Sequence, residues 1–261
     1  MKILVANDDG INSVGIDVIA RNAQDWGEIT VISPKSQQTA SGKGLTFHKP
    51  IRIDKTQTVS GVPAFSYNTV PADSVIIFQH LKGTPEIVLS GLNAGENTSI
   101  HSILTSGTCA VAIEAGMKDI PSFAFSIDTP EMYFFKDEIP GNIELAGKLS
   151  IKIVQKFMEV VDKKFWKEVI FVNINFPDTL NENTEIVLCD LETHKYDNFL
   201  HEREDPKGDK YYWLWGNKIS EFREGSDSKT VCVDKKISIT PVSMTNHDFL
   251  FRESQKVIDQ L

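Results

Sequence analysis

The chain is poor in the features that would mark a secreted, membrane-spanning or nucleic-acid-coating protein. Its three cysteines, Cys109, Cys189 and Cys232, lie far apart and form no Cys-x-x-Cys pair, so neither a zinc knuckle nor a disulfide framework is indicated. A reducing compartment is expected. No apolar run reaches the length of a membrane span, and Met1 leads straight into an apolar segment without a charged-then-apolar leader. The expected location is therefore the cytoplasm, with no membrane partner. Positive charge is also scarce: 27 Lys and Arg against 36 Asp and Glu leave a formal net charge of -9. That balance argues against polymeric nucleic acid as a partner, whose footprint should be basic. An anionic substrate would need a local positive feature, and a bound cation is one.

Several catalytic signatures are missing as well. No Gly-x-x-x-x-Gly-Lys-Ser/Thr occurs, which excludes a phosphate loop of the nucleotide triphosphatase kind. Gly42-Lys43-Gly44-Leu45-Thr46-Phe47 lacks the third glycine of a dinucleotide fingerprint and follows the wrong strand. A serine-hydrolase elbow would need Gly-x-Ser-x-Gly. Gly91-Leu92-Asn93-Ala94-Gly95 has asparagine at its centre, which cannot attack but can ligate a metal through its carbonyl oxygen. Ala115 stands six residues beyond Cys109 where a cysteine phosphatase would carry arginine, so Cys109 reads as a core thiol. The six histidines read as surface or hydrogen-bonded residues, with His101 lying nearest the candidate site in sequence.

What is present is an alternation of short apolar runs and helical periodicities, the pattern of a parallel sheet with crossover helices. Strands are expected at Ile3 to Ala6, Ile29 to Ser33, Glu86 to Ser90, Ser122 to Ser126 and Val169 to Ile174. Helices are expected at Val14 to Trp26, Ala72 to Leu81, Gly107 to Lys118 and Ile143 to Val161, with a strand pair inside Leu45 to Asn68. The fold class is α/β, a Rossmann-like three-layer core over residues 1–177. Residues 178–261 form an extension that bears a β-hairpin rich in aromatics (Tyr211-Tyr212-Trp213-Leu214-Trp215). A last strand at Ile237 to Pro241 and a terminal helix at Asp248 to Leu261 close it.

Directly behind the first strand stands Asn7-Asp8-Asp9-Gly10. All four are turn residues in their own right. Two adjacent carboxylates at the carboxyl end of a first strand repel one another and lose hydration in a cleft, so something must compensate them. A hard divalent cation does so with one ion. Loops that follow parallel strands share one edge, which brings this tetrad together with Ser33 to Gly42 and with Gly91 to Asn97. These loops supply oxygens rather than the sulfur or clustered histidine that zinc favours. Thr105-Ser106-Gly107-Thr108 precedes a helix whose first amides suit either plain capping by Ser106 or phosphate.

Asn7-Asp8-Asp9-Gly10 with Gly15-Ile16, the Pro34 to Thr46 loop, Pro71-Ala72-Asp73, Ser90 to Asn97, Ser106-Gly107-Thr108 and Ile237 to Pro241 together resemble the SurE family of survival proteins. The resemblance runs from the first strand to the last. It implies a metal-dependent phosphatase acting on nucleoside 5'- and 3'-monophosphates; some members of the family also trim short polyphosphate. It further implies a carboxyl-terminal hairpin region that makes a homodimer or homotetramer. Carried over by position, the ligands of one divalent ion, magnesium or manganese, are Asp8, Asp9, Thr39 and Asn93; Asp8 and Asp9 are also the catalytic candidates. Asn97, Ser106, Gly107 and Thr108 are the implied phosphate contacts. Thr39 stands where the family usually has serine, and Thr105 where it usually has tyrosine. A rival reading is a non-catalytic sensor that uses the same cleft only to bind nucleotide or phosphate. An aspartyl-phosphate route lacks its usual Asp-x-Asp spacing, since Asp8 and Asp9 are adjacent.

Overall fold

A computed structural model describes residues 1–130 and 141–244, so the expected terminal helix at Asp248 to Leu261 lies outside the described residues. The strands are β1 (Lys2–Ala6), β2 (Glu28–Pro34), β3 (Ile53–Gln57), β4 (Pro63–Tyr67), β5 (Ile87–Ala94), β6 (Ser122–Ile127), β7 (Phe171–Phe176), β8 (Ile186–Leu188), β9 (Tyr196–Glu204), β10 (Lys210–Lys218) and β11 (Ile237–Val242). Nine of them form one sheet in the order β3-β4-β2-β1-β5-β6-β7-β11-β8. The run from β4 through β7 is parallel throughout. β3 and β11 pair antiparallel on its two flanks. Strands such as β6 and β7 are buried at every position because helices cover both faces, which is why they read as unbroken apolar runs.

One face carries α1 (Val14–Ala23) and α5 (Ile143–Val160), packed with Ile16, Val18, Ile151 and Val154 against Ile3, Val5, Phe123 and Val172. The other carries α2 (Asp73–Lys82) and α4 (Gly107–Gly116), whose Val75, Phe78, Val111 and Ala115 meet Leu4, Ile32 and Val88. Short helices α3 (Ile100–Thr105), α6 (Phe165–Glu168) and α7 (Asp227–Cys232) were not apparent in the sequence pattern, each being too short to show a period. The expected helix to Trp26 turns from α to 3-10 geometry at Gln24. In the Leu45 to Asn68 segment only β3 and β4 pair, as its earlier amides bond side chains instead. Thr46 donates to Asp73 Oδ1 (3.1 Å) and Arg52 to Asn68 Oδ1 (2.8 Å).

β5 runs further than the expected Glu86 to Ser90, through a register shift against β6 between Ser90 and Asn93. Gly91 makes that shift possible: its φ is +137°, and a Cβ there would meet the Phe125 carbonyl oxygen at 2.5 Å. Asn93 thus sits on the strand end and not in a free loop. β9 and β10 form a separate nine-pair hairpin. Its Asp205-Pro206 turn is closed by Asp205 Oδ1, which accepts from the amides of Lys207 (2.8 Å) and Asp209 (3.0 Å). No helix among the described residues is long and apolar enough to cross a membrane.

Candidate active site

The chain leaves β1 toward β2 on one side while β5 lies on the other, so the carboxyl ends of β1 and β5 flank a topological switch point, where open α/β sheets hold ligands. A cleft of about 260 Å³ opens there, with Asp8, Asp9, Thr39, Asn93, Asn97 and Ser106 on its wall. Gly107 and Thr108 stand immediately behind. Sequence positions from 8 to 108 therefore converge on one cleft, as the strand-end reasoning requires.

Asn7, first of the tetrad, is fully buried and faces away from the cleft's chemistry. Its Nδ2 donates to Ser13 Oγ (2.7 Å), and Ser33 Oγ donates to its Oδ1 (2.6 Å). Ser13 in turn caps α1 by accepting from the Ile16 amide (3.3 Å). These bonds tie the ends of β1 and β2 to the start of α1, and they hold Asp8 and Asp9 in place. The Gln38 amide also donates to the Asp8 carbonyl (2.8 Å), drawing the loop that carries Thr39 over the pair.

Asp8 accepts a short hydrogen bond from the Thr108 hydroxyl. Burial pushes its carboxyl up from the usual range, against the opposing pull of Thr108 and the amides of Gly107 and Thr108. Asp9 is pushed well above that range by burial and then by the charge of Asp8. Gln37 Nε2 (3.3 Å) and the Ala94 amide (3.4 Å) are its donors. Gly107 permits this closeness, because a Cβ there would lie 2.6 Å from Asp8 Cβ and 2.8 Å from its Oδ2. The first turn of α4 is thus spent largely on Asp8, and Ser106, which caps it by accepting from the Cys109 amide (3.1 Å), keeps its hydroxyl proton for the cleft.

Asn93 Nδ2 donates to the Gly95 carbonyl (2.6 Å), which leaves Oδ1 as its acceptor, 3.4 Å from Thr108 Oγ1. Asn97 is fixed from behind: its amide donates to Asn175 Oδ1 (2.8 Å), its Nδ2 to Ser126 Oγ (2.9 Å), and Asn173 Nδ2 to its carbonyl (2.8 Å). Thr39 lines the cleft; Ser41, the other hydroxyl of that loop, is not on its wall. Two adjacent carboxylates, an amide oxygen and a hydroxyl make a donor set of hard oxygens, which fits a hard divalent cation.

Residues the sequence pattern did not single out also reach the cleft. Glu96 lies inside the Ser90 to Asn97 motif and Gln37 inside the Pro34 to Thr46 loop, neither with a signature of its own. Lys195 and Tyr196 come from the root of the hairpin, about a hundred residues away, with no local signature. His101 lines the cleft through α3, which its nearness to Ser106 hinted at. Cys109 is buried, and burial pushes its thiol up to about 12, as befits a core residue.

A parallel α/β core with a cleft at its switch point defines the Rossmann-like class of fold. The family described as survival protein SurE matches residues 3–198, and the chain belongs to that family. The 5'-nucleotidase SurE of Methanosarcina acetivorans is 37% identical over 254 residues, covering 93% of this chain and 92% of that protein. The 5'-nucleotidase SurE 1 of Thermus thermophilus is 35% identical over 255 residues, covering 96% and 95%. The crystal structure of SurE protein from Aquifex aeolicus matches this fold with a TM-score of 0.79 at 25% identity, covering 98% of this chain and 99% of that one.

Proposed function

We propose that this protein is a metal-dependent phosphomonoesterase that converts nucleoside 5'- and 3'-monophosphates to nucleoside and phosphate, and that it also trims short polyphosphate. Its membership among proteins named 5'-nucleotidases supports the substrate class. The observation that carries the reading is the adjacent pair of buried Asp8 and half-buried Asp9, both carboxyls pushed up, on the wall of a cleft that also holds Asn93, Thr39 and Ser106. Asp8, Asp9, Thr39 and Asn93 would hold one magnesium or manganese ion, which supplies a Lewis acid for the phosphoryl oxygens.

The chain's own residues do the rest. Thr108 and the start of α4 hold Asp8 in one orientation, and Ser106 offers a hydroxyl donor to a phosphoryl oxygen. Asn97 lines the same space, its backbone held at both amide and carbonyl and its side-chain Nδ2 by Ser126. Water attacks phosphorus as the bond to the nucleoside oxygen breaks, and preorganised donors hold the charge that is redistributed. The exposed aromatics of the hairpin are the surface on which we place subunit contacts, giving a homodimer or homotetramer. Three free cysteines suit a reducing cytoplasm.

The test is incubation with a panel of nucleoside monophosphates and magnesium or manganese, with and without chelator. Phosphate release that stops in chelator is the expected result. Intact nucleotides that nevertheless bind would establish the sensor instead.

A further inference from the structure

Both legs of the β9–β10 hairpin end on one carboxylate of the cleft. Lys195, immediately before β9, donates from Nζ to the Glu96 carbonyl at 2.6 Å and pairs with Glu96 Oε1 at 3.0 Å. Lys218, the last residue of β10, approaches the same Oε1 at 3.5 Å, and its strand partner is Tyr196. The Cys232 thiol adds a contact to that oxygen at 3.5 Å. Lys195 and Glu96 are almost fully buried, and both line the cleft. Glu96 lies between Asn93, at the end of β5, and Asn97, in the turn that follows the strand.

A buried ion pair is a poor way to gain stability, because desolvating two charges offsets most of their attraction and an apolar pair of similar volume often does as well. Two ammonium groups close on this one carboxylate, with Asp128 near Lys218 and Asp227 near Lys195. Burial raises the Glu96 carboxyl, but Lys195 and Lys218 outweigh it and hold the group at about 2, so the carboxylate stays ionised across the working range of pH. Lys195 puts one ammonium group on the wall of the cleft that contains Asp8 and Asp9, and it needs no metal to be there.

We propose that Lys195, clasped with Lys218 on Glu96, is a positioning residue that gives the phosphate site a cationic wall and fixes the turn presenting Asn97. The hairpin root is in this way part of the active site. The inference deepens the phosphomonoesterase reading and rests on it for turnover, but its binding half can be measured without turnover. The experiment is binding of inorganic phosphate by calorimetry, with steady-state kinetics on a nucleoside monophosphate and thermal unfolding, for the wild type, Lys195→Met, Lys195→Arg and Lys218→Met.

Lys195→Met should weaken phosphate binding and raise KM about tenfold while kcat changes less, and Lys195→Arg should recover most of the loss. Lys218→Met should shift the same constants in the same direction by a smaller factor. If Lys195→Met leaves phosphate binding and KM within twofold, or if Lys195→Arg fails as fully as methionine, the clasp is only structural and the proposal falls. Should Lys195→Met not fold, the half-exposed Lys218 decides: unchanged phosphate binding in Lys218→Met overturns the proposal. A wild type that binds phosphate but releases none would sink the phosphomonoesterase reading, while the binding comparison between variants would still judge the clasp.

Discussion

The carboxyl edge of the sheet and the β9–β10 hairpin use similar residues to opposite ends. At the sheet, Phe123 and Phe125 are fully buried, and Phe123 meets Phe157 and Trp166 edge to face at 5.7 and 5.5 Å. In the hairpin, Tyr211, Tyr212, Trp213, Leu214 and Trp215 are all exposed, on both faces of a two-stranded ribbon. A ribbon of two strands is marginal in water. The core holds its polar site by packing around it, whereas the hairpin must be held at its root and covered at its surface. Glu96 serves at the root, and a second subunit is the cover we propose.

The largest effect should come from the core side of this comparison. Asp9→Asn should lower hydrolysis by about 10²-fold or more. Because the fold raises both carboxyls, the folded chain binds more protons than the unfolded chain between the ordinary value of ~3.9 and the raised one. Metal-free stability therefore falls as pH climbs through that window, and Asp9→Asn should raise the Tm measured in chelator at neutral pH. An inactive variant that is also less stable in chelator would mean that the pair is not under mutual strain. Gly107→Ala comes next: its Cβ would collide with Asp8 and with Pro71 Cγ at 2.8 Å, so a loss of about 1–3 kcal/mol by denaturant unfolding should accompany a fall in turnover.

On the hairpin side, Trp213→Glu should turn the assembly into monomers by light scattering at micromolar concentration, with the fold intact by circular dichroism. A wild-type monomer would remove the need for a cover and erase half of the contrast. Smaller still, Thr39→Ala should raise the metal concentration for half activity roughly tenfold, and Ser41→Ala should leave it unchanged. The reverse pattern would move the ligand by two residues in that loop. Ser106→Ala should cost about 1 kcal/mol as a lost cap and also weaken inhibition by inorganic phosphate; the stability loss alone would leave Ser106 a cap and nothing more.

The strands of the core were legible because parallel strands buried on both faces leave apolar runs, and the start of α4 was marked by the cap Ser106. The extension of β5 past Ser90 was not, since a register shift depends on what lies beside Gly91, namely the Phe125 backbone. Nor could the roles of Asn7 and Thr108 be read from their positions. One is the bonded hub behind the acidic pair and the other the donor to Asp8, and both depend on partners 6 to 100 residues away.

By itself the sequence determined the acidic tetrad behind a first strand, the strand-end loops that meet it and the polar, aromatic character of the hairpin, because periodicity, capping and turn chemistry act over a few residues. Only the tertiary structure decided that Lys195 and Lys218 close on Glu96 at the edge of the same cleft. Ion pairs of that span follow from where the hairpin packs, and nothing local to either lysine encodes it.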